Sequence, residues 1–182
     1  APERTTFNRV LNPMPESLLA CDEIVVARRW ADDAVPMMHG SNKIPVLTVR
    51  AHIALAQGEV EQAARDAHDA LAIAAFTGAF LRVPDAIECL ARLAVGDGNH
   101  RHAARLFGFA GAIRDRKGIA RFPLYRASHA AAIALVRDAL GNNDFEALWA
   151  EAKDLPIEES LRYVQRRRGN RKRPISGWES LT

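Results

Sequence analysis

Residues 45–118 contain the same unit twice, and this duplication constrains the fold more than any other feature of the chain. When 45–78 is shifted forward by 40 residues onto 85–118, ten of the 34 aligned positions are identical. The identical residues of the first copy are Ala51, Ala54, Gly58, Ala63, Ala64, Arg65, Ala70, Ala72, Ile73 and Gly78. Because the shared glycines fall at the ends of apolar-periodic segments, each copy predicts a helix, a glycine turn, a second helix and a glycine stop.

The second predicted helix of each copy carries a stripe of small residues. In the first copy, alanines recur at positions 63, 67, 70 and 74, which is one face of a helix with 3.6 residues per turn. Small side chains allow neighbouring helices to approach closely, and a period of about 34 to 47 residues is typical of tetratricopeptide and related α-repeats. The predicted fold is therefore all-α, with tetratricopeptide-like antiparallel helix hairpins in a right-handed α-solenoid and a C-terminal helical cap.

Proline, glycine and charge patterns predict the remaining organisation. The predicted segments are an N-terminal extension (1–15), three helical hairpin repeats (16–43, 44–78 and 79–118, together 16–118), capping helices (119–168) and a basic linker (169–182). The first repeat is predicted to contain one helix over 16–35 and a loop over 36–43. Within the cap, Asn142 or Asn143 is expected to cap a short helix that ends near Lys153.

Composition excludes several classes of protein. Of the 182 residues 48% are hydrophobic, but no uncharged run approaches the ~20 residues of a membrane span. No signal peptide is visible in the first 20 residues. The two cysteines, Cys21 and Cys89, lie far apart in helical patterns, which predicts buried, reduced thiols and a cytoplasmic protein.

Positive charge is concentrated near the C-terminus, whereas the rest of the chain is slightly acidic. Six basic residues fall within eight positions, and they are Arg166, Arg167, Arg168, Arg171, Lys172 and Arg173. Such a run can neutralise nucleic-acid phosphates, or it can be a solvated linker between domains. Aromatic residues that would stack on bases are not interleaved with these charges, which favours the linker interpretation.

The sequence contains no recognisable catalytic, metal or cofactor signature. His100 and His102 flank Arg101 at a predicted turn near Asp97, but no third ligand of a zinc site lies nearby in sequence. The adjacent Glu158 and Glu159 are better explained as acidic residues at the positive end of a helix than as a catalytic pair. No glycine-rich phosphate loop is present. We expect no enzymatic activity and no bound cofactor.

A partner-binding surface can be predicted from the repeat itself. In a tetratricopeptide-like stack, the first helix of each hairpin lines the concave side. If Ala51 and Ala91 are packing positions, the residues expected to face this groove are Thr48, His52, Glu88 and Arg92. The competing interpretation is that these four residues are ordinary solvated polar groups.

Four segments of the chain resemble the large LuxR-type transcriptional regulators of bacteria. They are LRVPDAIECLARLA (81–94), HAARLFGFAGAIRDRKG (102–118), GNNDFEALWAEAKDLPIEESLRYV (141–164) and RKRPISGWESLT (171–182). The resemblance implies a longer parent protein in which an ATP-binding signalling ATPase, sometimes behind a cyclase-like domain, precedes a tetratricopeptide-like region and a C-terminal DNA-binding helix-turn-helix. The ATP- and DNA-binding residues of that parent cannot be assigned to positions in this sequence.

Two functions therefore remain as hypotheses. In the first, the helical repeats receive a protein or small-molecule signal in their groove and relay it to a DNA-binding domain, with self-association of the chain left open. In the second, the basic segment binds nucleic acid directly. Neither hypothesis requires a membrane.

Overall fold

The 40-residue period of the sequence is reproduced in the bounds of the helices. The structure, a computed structural model, describes residues 14–166, which contain no β-strand. Its α-helices in chain order are α1 (Met14–Ala20), α2 (Ile24–Met37), α3 (Lys43–Ala56), α4 (Val60–Thr77), α5 (Val83–Gly96), α6 (His100–Lys117), α7 (Pro123–Leu140), α8 (Asn142–Asp154) and α9 (Ile157–Arg166). Helices α5 and α6 begin and end 40 residues after α3 and α4, respectively. The all-α prediction is confirmed for the described residues.

The turns inside the two copies also have the same hydrogen bonds. The N–H group of Glu59 donates to the Ala54 carbonyl at 2.8 Å, and that of Asn99 donates to the Ala94 carbonyl at 2.8 Å. Between each pair lies a glycine with left-handed backbone geometry, Gly58 at φ 76° and Gly98 at φ 70°. A side chain at such a φ would be strained, so these two positions require glycine and explain its repetition.

The hydrophobic core runs between consecutive helices from α3 to α9, and small residues dominate it. The alanines of the predicted stripe at positions 63, 67, 70 and 74 are all fully buried, as are Ala103 and Ala110 in the second copy. Two smaller apolar clusters connect α2 to α3. Larger side chains, such as Phe107, Phe109 and Phe145, fill the core where α6 meets α7, α8 and α9.

The N-terminal part departs from the prediction in two places. The single helix expected over 16–35 is broken at positions 21–23, where Asp22 adopts φ 62°, and this left-handed residue separates α1 from α2. The expected loop over 36–43 is shorter than predicted, because α2 continues through Pro36 to Met37 and a 3-10 turn, Gly40–Asn42, leads directly into α3. Cys21, expected to be buried, is exposed at the break, whereas Cys89 is buried.

The C-terminal cap is attached to the repeats by close helix contact. A Cβ atom at Gly108 of α6 would lie 2.7 Å from the Ala152 Cβ and 3.0 Å from the Trp149 carbonyl oxygen of α8. Gly108 therefore allows α8 to pack against the α6 backbone. The predicted asparagine cap of α8 is wrong, because Gly141 is the N-cap residue and no side chain caps the helix.

The close contact between α6 and α8 predicts opposite effects for two glycine-to-alanine substitutions. Gly108→Ala should destabilise the fold by about 1–3 kcal/mol through overpacking against α8. Gly96→Ala, also helical but with nothing within 4 Å of the added Cβ, should be neutral or stabilise by up to about 1 kcal/mol. Urea unfolding of both variants tests this, and equal unfolding midpoints would contradict the described contact.

Candidate functional site: a buried polar cluster

A group of charged and polar side chains is buried where α1 and α7 cover the first helices of the two repeat copies. We call this group the polar cluster, and its members are Glu16, His52, Arg82, Asp85, Glu88, Arg114, Arg121, Tyr125 and His129. Seven of them are less than 9% exposed, while Arg121 and His129 are partly buried. Buried charges are rare unless they are paired, so each charged member of the cluster is expected to have a partner of opposite charge.

Glu88 of α5 is the centre of the best-satisfied part of the cluster, which we call the Glu88 hub and which consists of Glu88, Arg114 and Arg121. Its Oε1 accepts hydrogen bonds from Arg114 Nε at 3.0 Å and from Arg121 Nη2 at 2.8 Å, and its Oε2 accepts one from Arg121 Nε at 3.0 Å. His129 Nδ1 of α7 lies 3.7 Å from Oε2. Burial would raise the pKa of Glu88, but the hydrogen bonds from Arg121 and Arg114 bring it below its ordinary value.

Asp85, one helical turn earlier in α5, connects two arginines. Its Oδ1 accepts a hydrogen bond from Arg114 Nη2 at 2.6 Å, and its Oδ2 lies 3.4 Å from Arg82 Nη1. Arg82 also donates from Nη2 to Glu16 of α1, and its guanidinium lies 4.4 Å from the centre of the Phe122 ring. Burial raises the pKa values of Asp85 and Glu16, because the nearby arginines compensate only in part for lost solvation.

His52 of α3 is held in one tautomer. Its Nε2 lies 3.0 Å from the Asp85 carbonyl oxygen, which can only accept, so Nε2 carries the proton. Burial, and then the charge of Arg92, lowers the pKa of His52 to about 3, so the ring is neutral at pH 7 and Nδ1 is a bare acceptor. The ring stacks on Tyr125 of α7, with 4.3 Å between centroids.

Several buried polar atoms of the cluster have no hydrogen-bond partner within the described residues. They are Glu16 Oε2, His52 Nδ1, Arg82 Nε, Tyr125 Oη and His129 Nδ1. An unpaired buried polar group costs about 1–3 kcal/mol, so such atoms mark positions where the packing is least favourable. They concentrate at the contacts of α1 and α7 with the repeats, whereas the Glu88 hub between α5 and α6 is well satisfied.

The arrangement supplies charged and hydrogen-bonding groups whose ionisation is set by burial and by their neighbours. Three carboxylates and three guanidinium groups balance one another, and the two histidines have lowered pKa values. Burial raises the pKa of Tyr125. Burial also raises the pKa of Cys89, which lies in the neighbouring part of α5, to about 12. Both groups are therefore protonated at pH 7 and are weak nucleophiles. In the described part of the chain, no group of three or more His, Cys, Asp or Glu side chains could hold a metal ion.

Two of the four residues predicted to line the groove lie beneath α7. His52 and Glu88 belong to the polar cluster, and Arg92, which is partly exposed, lies close enough to affect the pKa of His52. Thr48 is fully buried and donates its hydroxyl to the Ile44 carbonyl of its own helix. Tyr125 and His129 of α7 cover His52 and Glu88, so a partner could reach these two residues only if α7 moved. Partner binding by these residues stays a prediction.

Sequence reasoning missed most of the cluster, although a comparison of the two copies contains a signal for part of it. Asp85 and Arg114 align with Pro45 and Ala74 of the first copy, so charges replace apolar residues, and Ala74 is fully buried. Glu16 and Tyr125 carry no comparable signal, because they reach the cluster only through the positions of α1 and α7.

Of the predicted nucleic-acid residues, the structure describes only Arg166, which is exposed at the end of α9. Arg167, Arg168, Arg171, Lys172 and Arg173 lie outside the described residues. Within residues 14–166, no helix is long and apolar enough to cross a membrane.

Comparison with known proteins relates the chain to bacterial transcriptional regulators. It is 41% identical over 181 residues to "Putative HTH-type transcriptional regulator Rv0890c" of Mycobacterium tuberculosis and to "Putative HTH-type transcriptional regulator Mb0914c" of Mycobacterium bovis. The match covers 100% of this chain but 20% of each relative, so the chain spans about one fifth of their length. No family model matches the chain. No solved structure matches it either.

The Glu88 hub predicts a large difference between two glutamate substitutions. Glu88→Gln should destabilise the fold by roughly 3–5 kcal/mol, because it leaves two arginine contacts without a buried counter-charge. Glu146→Gln is the matched control, because Glu146 pairs with Arg137 on the exposed surface and should cost less than about 1 kcal/mol. Unfolding in urea measures both values, and similar losses in the two variants would contradict the buried hub.

The lowered pKa of His52 predicts acid sensitivity. The unfolded chain gains a proton below the ordinary histidine pKa of 6.5, while the folded chain does not until about pH 3, so this contribution to stability falls as pH falls through that window. The wild type should therefore lose about 2 kcal/mol more stability between pH 7 and pH 5 than His52→Gln does. Parallel pH profiles of the two unfolding free energies would refute the neutral buried ring.

Proposed function

We propose that the chain is a regulatory helical-repeat module of a LuxR-type transcriptional regulator, which relays a protein or small-molecule signal to a C-terminal DNA-binding domain. The observation that carries this proposal is the end-to-end match, at 41% identity, to proteins named as HTH-type transcriptional regulators. Because that match occupies one fifth of the relatives, the proposal assigns this chain one part of a longer protein rather than the whole activity.

In this proposal the helix pairs are tetratricopeptide-like repeats that stack as an α-solenoid. Support comes from the 40-residue offset of the helix bounds and from the repeated glycine turns. Helices α7, α8 and α9 form the cap, and 169–182 is the linker to the DNA-binding domain. ATP binding belongs to another part of the longer protein, and the module acts in the cytoplasm without enzymatic activity of its own.

The polar cluster suggests how a signal could pass along the module. Helix α7 has only three buried residues among its eighteen, whereas α5 has eleven among fourteen, so α7 is the more weakly packed of the two. It contacts α1, α5, α6 and α8. A ligand or partner that changes the contacts of the cluster would shift α7, and with it the cap that leads to Arg166 and the linker.

Direct binding of nucleic acid by the basic segment is the competing function, and it predicts a different result with DNA. We expect the 182-residue chain to bind fluorescent duplex DNA weakly at about 150 mM salt, since the DNA-binding domain of the proposal lies elsewhere. Affinity that falls by about 10³-fold or more between 50 and 200 mM salt would instead indicate multiple phosphate contacts. A variant with Arg171, Lys172 and Arg173 replaced by alanine is the control for that outcome.

The regulatory role itself is tested in the longer gene product that the proposal requires. Conservative variants of the cluster, such as His52→Gln, should alter signal-dependent transcription of a reporter while leaving the affinity for operator DNA within about twofold. Unchanged transcription in a variant that folds normally, or an equal loss of operator affinity, would contradict relay through this module.

A further inference from the structure

Helix α1 inserts one buried carboxylate into the polar cluster. Glu16 reaches Arg82, which is 66 residues away in sequence, and the two side chains are 6% and 7% exposed. Helix α1 has only seven residues, and the break that follows it contains Asp22 in a left-handed conformation. The carboxylate is therefore delivered by a short segment that is joined to the repeats at a bend.

The ion pair between Glu16 and Arg82 is incomplete. Arg82 donates from Nη2 to Glu16 Oε1, while Arg82 Nε and Glu16 Oε2 both have no hydrogen-bond partner among the described residues. A carboxylate that approaches a guanidinium side-on uses both oxygens, one on Nε and one on Nη2, and such bidentate pairs are stronger and more specific. The resident carboxylate thus uses one of the two nitrogens, Nε and Nη2, that this edge of Arg82 offers.

The surroundings of Arg82 are suited to a small anion. Its guanidinium stacks on Phe122, its Nη1 faces Asp85, and the buried Tyr125 hydroxyl nearby lacks a partner within the described residues. Tyr125 is close enough to Glu16 and Arg82 that both affect its pKa. An arginine fixed by an aromatic ring, together with an unused hydroxyl, can hold a carboxylate from two directions.

We propose that Arg82, Phe122 and Tyr125 form a binding site for a small monocarboxylate, which Glu16 occupies as an internal competitor. Charge selects the ligand class. A monocarboxylate that replaces Glu16 keeps three negative and three positive groups in the cluster, whereas a phosphate carries about −1.5 to −2 charges and would leave an excess. Burial also raises the pKa of Glu16, which indicates that its ionised form is held there at a free-energy cost.

Ligand binding would release α1 from the cluster and expose the contact between α7 and the repeats. The use of this carboxylate site as the effector site of a regulatory module rests on the function proposed above. Carboxylate binding itself needs no DNA, so it can fail or succeed independently of transcriptional regulation.

The first experiment restores the missing carboxylate from solution. Glu16→Ala should melt at a lower temperature than the wild type, and sodium acetate should raise its melting temperature more than sodium chloride of equal ionic strength or the neutral analogue acetamide does. The double variant Glu16→Ala, Arg82→Gln should lose this acetate-specific increase. Glu23→Ala, which removes an exposed carboxylate at the bend, is the matched control and should show a smaller increase than Glu16→Ala, because Glu16 still competes with acetate for Arg82.

A second measurement detects release of α1 in the chain with Glu16 intact. Cys21 is exposed at the bend, while Cys89 is buried with a pKa raised to about 12, so a thiol-reactive fluorophore should label Cys21 selectively. Acetate should change the fluorescence in a saturable manner, and acetamide should not. Arg82→Gln, labelled in the same way, should not respond.

These two measurements decide the proposal even if Glu16→Ala folds poorly, because the labelled chain retains Glu16. A saturable acetate response that requires Arg82 supports the site. Equal responses to acetate, chloride and acetamide in both measurements would overturn it, whatever the outcome of the reporter assay. An acetate response without any effect on the reporter would retain the site and refute its regulatory use.

Discussion

The close approach of consecutive helices is the constraint on which the rest of the structure depends. It is possible because alanines and glycines stand at the helix crossings, where Ala63, Ala70, Ala103 and Ala110 are fully buried. Helices packed through small residues bury their backbones against one another and leave little tolerance for added volume. The same requirement reappears at the cap, where Gly108 brings α8 onto α6.

Close alanine packing affects how α1 and α7 are held against the repeats. Alanine contributes little apolar area, so the attachment of α7 and α1 depends on other contacts. The C-terminal half of α7 packs through Ala132 and Val136, but its N-terminal half meets the repeats through Tyr125 and His129 in a polar environment. Each unsatisfied donor or acceptor in a buried polar contact of this kind reduces the stability that the contact contributes.

The members of the polar cluster differ in how completely their donors and acceptors are hydrogen-bonded. Glu88 has hydrogen bonds to both of its oxygens and a lowered pKa, whereas Glu16 has one satisfied oxygen and a raised pKa. The centre between α5 and α6 is therefore the firm part of the cluster, and the contact with α1 is the weak part. This difference is the physical basis for our proposal that α1 and α7, rather than the repeats, respond to a ligand.

The sequence by itself determined the helices of the two copies, because their pattern is local. Glycines that need a left-handed backbone and apolar residues at helical spacing are visible without any tertiary information, and the predicted alanine stripe is buried as expected. The break at Asp22 was missed because its signal is a single non-glycine residue in an unusual conformation. The tertiary structure decided the candidate site. Glu16, His52 and Arg82 come from separate segments, and only the placement of α1 and α7 over the repeats brings them together and removes them from water.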